Sequence, residues 1–143
     1  MPQNFDARLS MLIDAPAPAV WDALTHPELV KQWMHGTQVK SDWKKGSPIT
    51  WSGEWKGQSY VDKGVILEID PGKRVSYTHW SPMGGSEDKP ENYHTVTFEL
   101  TGKDGKTLLA LTQSNNPSQE EADKMAQNNW RPILEGLKAL VEK

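Results

Sequence analysis

Residues 118–140 read SQEEADKMAQNNWRPILEGLKAL, and the apolar positions of this stretch decide the fold. Ala122, Ala126, Trp130, Ile133, Leu137 and Leu140 step by three or four residues, the period of one helix face. Ser118-Gln119-Glu120-Glu121 in front of them has the spacing of a capping box, which marks where the helix begins. Pro132 lies inside the pattern, where it removes a backbone N–H and crowds the carbonyl of Asn128, so the helix is expected to bend there. A long helix with a single apolar stripe has to cover something, and the residues before it supply a sheet.

From Thr37 to Asn115 the pattern has period two. Ile49, Trp51 and Trp55 alternate, as do Val61, Val65, Leu67 and Ile69, and Val75 and Tyr77 continue after the turn Asp70-Pro71-Gly72. Tyr93 to Leu100 carries Val96, Phe98 and Leu100 on one face, Asp104-Gly105 reverses the chain, and Thr107 to Gln113 forms a last strand. Short turns between successive strands imply an antiparallel meander. One connection is long: Ser81 to Asn92, rich in Pro, Gly and acidic residues, has the length of a lid rather than of a plain connector.

Ahead of the meander, Phe5, Ala7, Leu9, Met11 and Ile13 alternate with Asp6, Arg8, Ser10 and Leu12, which predicts a first strand. Pro16 and Pro18 end it. Val20, Trp21 and Leu24 then fall at helical spacing up to about Thr25, and Thr25-His26-Pro27-Glu28 opens a second short helix with Leu29, Val30 and Trp33 on its apolar side, closed by Gly36. The order is therefore strand, two short helices, about six further strands and one long helix: an α+β chain whose bent sheet can wrap the helix and enclose a pocket.

Several stretches resemble one family. They are Ile13-Asp14-Ala15-Pro16 with Val20-Trp21-Asp22-Ala23-Leu24-Thr25, then Glu28 and Trp33, then Gly64-Val65-Ile66-Leu67-Glu68-Ile69-Asp70-Pro71. Thr107-Leu108-Leu109-Ala110-Leu111-Thr112 and Asn129-Trp130 with Leu134, Leu137 and Leu140 complete the set. Together they resemble the START-like helix-grip (SRPBCC) superfamily, and within it the proteins homologous to the C-terminal domain of the activator of the heat-shock protein 90 ATPase. The resemblance implies a helix-grip (START/Bet v-like) fold, with a curved antiparallel sheet of about six to seven strands around the C-terminal helix and two short helices after the first strand. It departs from the family at Asn129, where Gly commonly precedes the Trp, and at Pro132. It also implies a cavity that holds a hydrophobic ligand in many members, while others are cyclases, hydrolases or co-chaperone domains; fold alone does not choose among them.

Composition narrows the classes. A length of 143 residues suits one domain, 1–143. A net charge of −3 without a dense Lys/Arg run excludes the electrostatic footprint of a nucleic-acid binder. The absence of Cys excludes disulfides, thiolate metal sites and Cys nucleophiles. No apolar stretch approaches the roughly 18 residues of a membrane span, and Met1 to Asp14 lacks the build of a signal peptide. A cytoplasmic chain, monomeric or homodimeric, is expected.

Seven Trp against three Tyr and two Phe is the compositional oddity, because each buried indole needs a partner for its N–H. Trp33, Trp51, Trp55, Tyr77, Phe98, Met125 and Trp130 fall on the inner face of their elements or beside the long helix and are expected around the cavity. Trp21 and Trp80 read as packing or surface rings, and Trp43 lies in a Lys-flanked turn. His79 shares the parity of Tyr77 and His94 that of Phe98, so the two histidines are expected to be cross-strand neighbours able to orient a polar ligand group or exchange protons. Glu54 and Asp62 could serve as acid or base, with their parity left open by bulges at Gly53 and Gly57. His26, His35, His79 and His94 have no metal-ligand spacing, and no nucleophile or phosphate-loop motif occurs, so neither metal nor cofactor is expected. The leading expectation is non-catalytic binding of a small apolar or aromatic molecule, lipid-like or polyketide-like. The alternatives are a co-chaperone-like module whose partner is a chaperone, or an enzyme of the cyclase or dehydratase type using His79 and His94.

Overall fold

The computed structural model describes residues 5–34, 36–55, 57–81, 87–89, 92–116 and 118–142. Strand β1 (Phe5–Ile13) leads into helices α1 (Ala17–Thr25) and α2 (Pro27–Trp33). Six strands follow: β2 (Gln38–Ser41), β3 (Pro48–Trp55), β4 (Gln58–Asp70), β5 (Arg74–His79), β6 (His94–Lys103) and β7 (Lys106–Asn116). They pair antiparallel in the order β1-β7-β6-β5-β4-β3-β2, so the meander is complete and β1 joins it beside β7. Helix α3 (Gln119–Lys124), a π-helical stretch (Met125–Trp130) and helix α4 (Arg131–Val141) run on as one continuous helix across the concave face. This is the helix-grip fold.

Local chemistry explains the elements. Ser118 caps α3 by accepting from the Glu121 N–H at 3.1 Å. Asp104 and Gly105 both have positive φ, 55° and 79°, as a two-residue hairpin turn requires. A π stretch precedes Pro132: Arg131 N–H reaches back five residues to Ala126 O, and the widened turn accommodates the proline that follows. At α2 the N-cap is His26 and not Thr25. Thr25 ends α1 with its hydroxyl donating to Trp21 O at 2.9 Å, so His26 takes the N-cap position without a side-chain cap.

The parity of β4 also differs from the valine alternation. Val61, Val65 and Leu67 are exposed, while Tyr60, Asp62, Gly64 and Ile66 face inward. Pairing with β3 sets this face, since Trp51 lies opposite Asp62 and Ile49 opposite Gly64. A register shift between Ile66 and Glu68 then turns Ile69 inward. At the bend β5 comes so close that a Cβ on Gly64 would sit 1.6 Å from Thr78 O.

The core beneath the helix joins Ile13, Val20, Ile49, Ile66, Leu109, Leu111, Leu134 and Leu137, all fully buried. Thr107 Oγ1 donates to Ala15 O at 2.7 Å and ties the start of β7 to the β1–α1 link. Gly64→Ala must push β4 and β5 apart, and urea denaturation is expected to show a loss of about 3 kcal/mol, the upper range of overpacking. Gly46→Ala, at an open turn with φ 86°, carries only the backbone strain of a positive φ and is expected to lose about 1 kcal/mol.

Candidate functional site

Between the sheet and the C-terminal helix lies a cavity of about 560 Å³. Its sheet wall is Trp51 on β3, Tyr60 and Asp62 on β4, Tyr77 and His79 on β5, His94 and Val96 on β6 and Gln113 on β7. Met125, Asn129, Trp130 and Ile133 close it from the helix, Met34 and Thr37 from the α2–β2 link, and Trp80, Ser81 and Asn92 at the rim.

The rings form a continuous series. His79 meets Trp51 edge-on at 5.1 Å, Trp51 lies 5.0 Å from Tyr77, Tyr77 6.4 Å from Phe98, and Phe98 6.1 Å from Trp130 in a T-shape. Two of the indoles have acceptors. Trp130 Nε1 donates to Gln113 Oε1 at 2.7 Å, and Trp33 Nε1 donates to Ala23 O at 2.7 Å. Burial holds the Tyr77 phenol well above the ordinary tyrosine value, so it stays neutral.

Polar groups gather at one end. His79 Nε2 is 3.0 Å from Asp62 Oδ2, and His94, directly opposite His79 in the register, has its Nδ1 2.8 Å from Ser114 O. Tyr60 OH and Thr37 Oγ1 are 2.6 Å apart. At the rim, Trp80 stacks on Tyr93 at 6.3 Å with Lys63 Nζ 5.6 Å from its ring, and Asp88 takes an ion pair from Lys63 and a hydrogen bond from Tyr93 OH. Lys63 first and Tyr93 next hold the Asp88 carboxyl below its usual value, so this tie persists at neutral pH and loosens only as acid protonates the carboxylate.

Of the nine residues expected at the site, Trp51, Tyr77, His79, His94, Met125 and Trp130 line the cavity. Trp33 and Phe98 do not; with Trp43 they face a neighbouring void of about 30 Å³. The Trp55 side chain lies outside the described residues, as does most of the Ser81–Asn92 connection expected to act as a gate. Glu54 is exposed. Trp80 is a correction: it reads as a packing or surface ring, yet it lines the cavity because β5 runs one residue further and bridges to Lys63. Tyr60 escaped the pattern and Asp62, a candidate acid or base of open parity, faces inward; Met34 and Gln113 also escaped it. The signal for the first two was Gly64 and Ile66, which share their parity. Among the described residues no three His, Asp or Glu side chains converge on a metal position, and no helix is long and apolar enough to cross a membrane.

Residues 14–142 match the family described as Activator of Hsp90 ATPase homolog 1-like protein. The chain belongs to this family. A solution structure from Cytophaga hutchinsonii, 46% identical, superposes with a TM-score of 0.85 over 99% of this chain and 97% of that one. A crystal structure from Mesorhizobium loti is 27% identical, with a TM-score of 0.74 and 96% of each chain covered. The Aha1 dimer from Colwellia psychrerythraea, 20% identical with a TM-score of 0.73 and 96% of each chain covered, shares the fold. No curated protein matches the sequence. In this member of the Hsp90-activator-like family the departures at Asn129 and Pro132 fall at the π stretch and the turn after it, where Trp130 meets Gln113. Gln113→Leu leaves the Trp130 N–H without its acceptor. The expected cost in urea denaturation is about 1–3 kcal/mol, with a shift in indole emission.

Proposed function

We propose that this chain binds a small, largely apolar aromatic molecule in the cavity between sheet and helix. The observation that carries this reading is the cavity itself: about 560 Å³ walled by Trp51, Tyr77, Trp80 and Trp130, with a few polar groups at one end. Small-molecule sites have volumes of roughly 300–1,000 Å³ and this mixture of apolar wall and sparse polar anchors. The rings already contact one another and the Trp130 indole is held by Gln113, so a flat apolar ligand gains burial against them without breaking that bond.

Among the described residues three tryptophans line the cavity, so intrinsic fluorescence is the direct probe. Titration with naphthalene is expected to change emission saturably at one equivalent. Met125→Trp, which adds bulk from the helix side, is expected to weaken the apparent Kd at least about tenfold, the loss of some 1.4 kcal/mol, while far-ultraviolet circular dichroism is unchanged. No saturable response across naphthalene, fatty acids and sterols would rule the reading out.

A second reading, a module that docks on a chaperone, is favoured by the family to which the chain belongs. It predicts co-purification with a chaperone of the heat-shock protein 90 class and stimulation of its ATPase activity. An ATPase rate unchanged by a molar excess of this chain would sink it.

A further inference from the structure

Two donors on the sheet wall of the cavity have nothing to donate to. Tyr77 and Gln113 both line it and are only 9% and 5% exposed. An indole N–H only donates, so Gln113 turns its amide oxygen to Trp130, and its Nε2 hydrogens have no acceptor among the described residues. The Tyr77 hydroxyl has no partner there either, and burial keeps it protonated. Neither atom is sealed off. Among the described residues the shielded side-chain atom without a partner is Asp62 Oδ1 alone, so the surface that Tyr77 OH and Gln113 Nε2 keep opens on the cavity they line. Trp51 Nε1, on the ring beside Tyr77, is a third donor of the same kind. Tyr77 can also accept, but an amide NH2 and an indole N–H cannot, so the set agrees only on an acceptor.

The register brings the first two donors together. Val96 pairs with Tyr77 on β5 and with Gln113 on β7, so the three form one cross-strand row on the inner face. Valine is the shortest of the three, and the space above it is flanked by a hydroxyl and an amide. The His79–His94 pair stands two residues further along β5 and β6, about 7 Å away along the strands. Among the described residues no Lys or Arg lines the cavity, so an anion on this row would lose its water without gaining a lysine or arginine countercharge. The group that fits is a neutral acceptor, and a carbonyl oxygen has the two lone pairs to take both donors at once.

Resting on the binding reading above, we infer that the Tyr77–Val96–Gln113 row is a carbonyl-recognition subsite, which selects neutral aromatic ketones over hydrocarbons of the same shape. Tyr77 OH and Gln113 Nε2 donate to one carbonyl oxygen lying over Val96. Gln113 then serves twice, its oxygen holding the helix through Trp130 and its nitrogen holding the ligand.

The test is calorimetric titration of the full chain with 2-acetonaphthone, 2-isopropenylnaphthalene and naphthalene. The first two have nearly one shape and differ in carrying C=O or C=CH2. Wild type is expected to bind the ketone at least about fivefold more tightly than the alkene, the scale of one net hydrogen bond. Tyr77→Phe removes only the hydroxyl and is expected to lower that ratio at least about threefold, with alkene binding retained and so reporting an intact cavity. In infrared difference spectra the carbonyl stretch of bound, isotope-labelled 2-acetonaphthone is expected below its frequency in cyclohexane. Part of that shift is expected to be lost in Tyr77→Phe and the rest, from Gln113, kept. A wild-type ratio below about fivefold overturns the subsite while leaving the binding reading in place; failure of all three probes to bind overturns both. A ratio or a carbonyl stretch that Tyr77→Phe leaves unchanged, or tighter binding of 2-naphthoate than of 2-acetonaphthone, also overturns the assignment.

Discussion

The hydrogen bond from the Trp130 indole to the Gln113 amide sets how far the C-terminal helix stands from the sheet. Before it, Ala122 and Ala126 are small and buried, so α3 lies close against β1. Beyond it, Leu134 and Leu137 fill the core beside α1 and α2. Between the two, the π stretch turns an indole inward whose ring is too large and whose N–H is too polar to lie flat on an aliphatic surface. Gln113, itself buried on β7, accepts that N–H and keeps the helix propped away from the strands. The cavity is thus a consequence of side-chain size along one helix: two alanines, then a tryptophan, then leucines.

Much of this was legible in the sequence because its periods are clean. The step of three or four from Ala122 to Leu140 predicts the covering helix, and the parity of Tyr77 and Phe98 places His79 opposite His94. β4 was harder. Its most apolar row, Val61, Val65 and Leu67, is the outer one, and no periodicity argument says that an aliphatic row should face water while Tyr60 and Asp62 face in. Backbone approach decides it, through Gly64 and the register shift after Ile66, and glycine carries no hydropathy signal. Trp33 and Phe98 show a different limit. Both lie on the inner face, as their spacing predicts, but a buried ring can belong to a packed region beside the cavity, and spacing does not say where packing ends and space begins.

The cavity also separates two kinds of electrostatics. At the rim, Lys63, Asp88 and Tyr93 make solvent-exposed contacts around Trp80, where screening keeps each one weak. Inside, Asp62 and His79 sit among rings at lower effective dielectric, where an unmade hydrogen bond counts for more. Family membership fixes the scaffold for both, but the polarity of the inner end depends on which residues of β4 point inward.

That dependence gives Gly64 a role beyond the bend. Strand side chains alternate faces, so a slip of one residue in β4 would exchange Tyr60 and Asp62 for Val61 and Lys63 and change a mixed pocket into one with an aliphatic wall and a buried cation. A slipped strand would also place Lys63 or Val65 where Gly64 meets the Thr78 carbonyl, and neither has room there. The glycine therefore acts as a proofreading position: it lets the sheet close in only one register, the one in which the pocket has its chemistry.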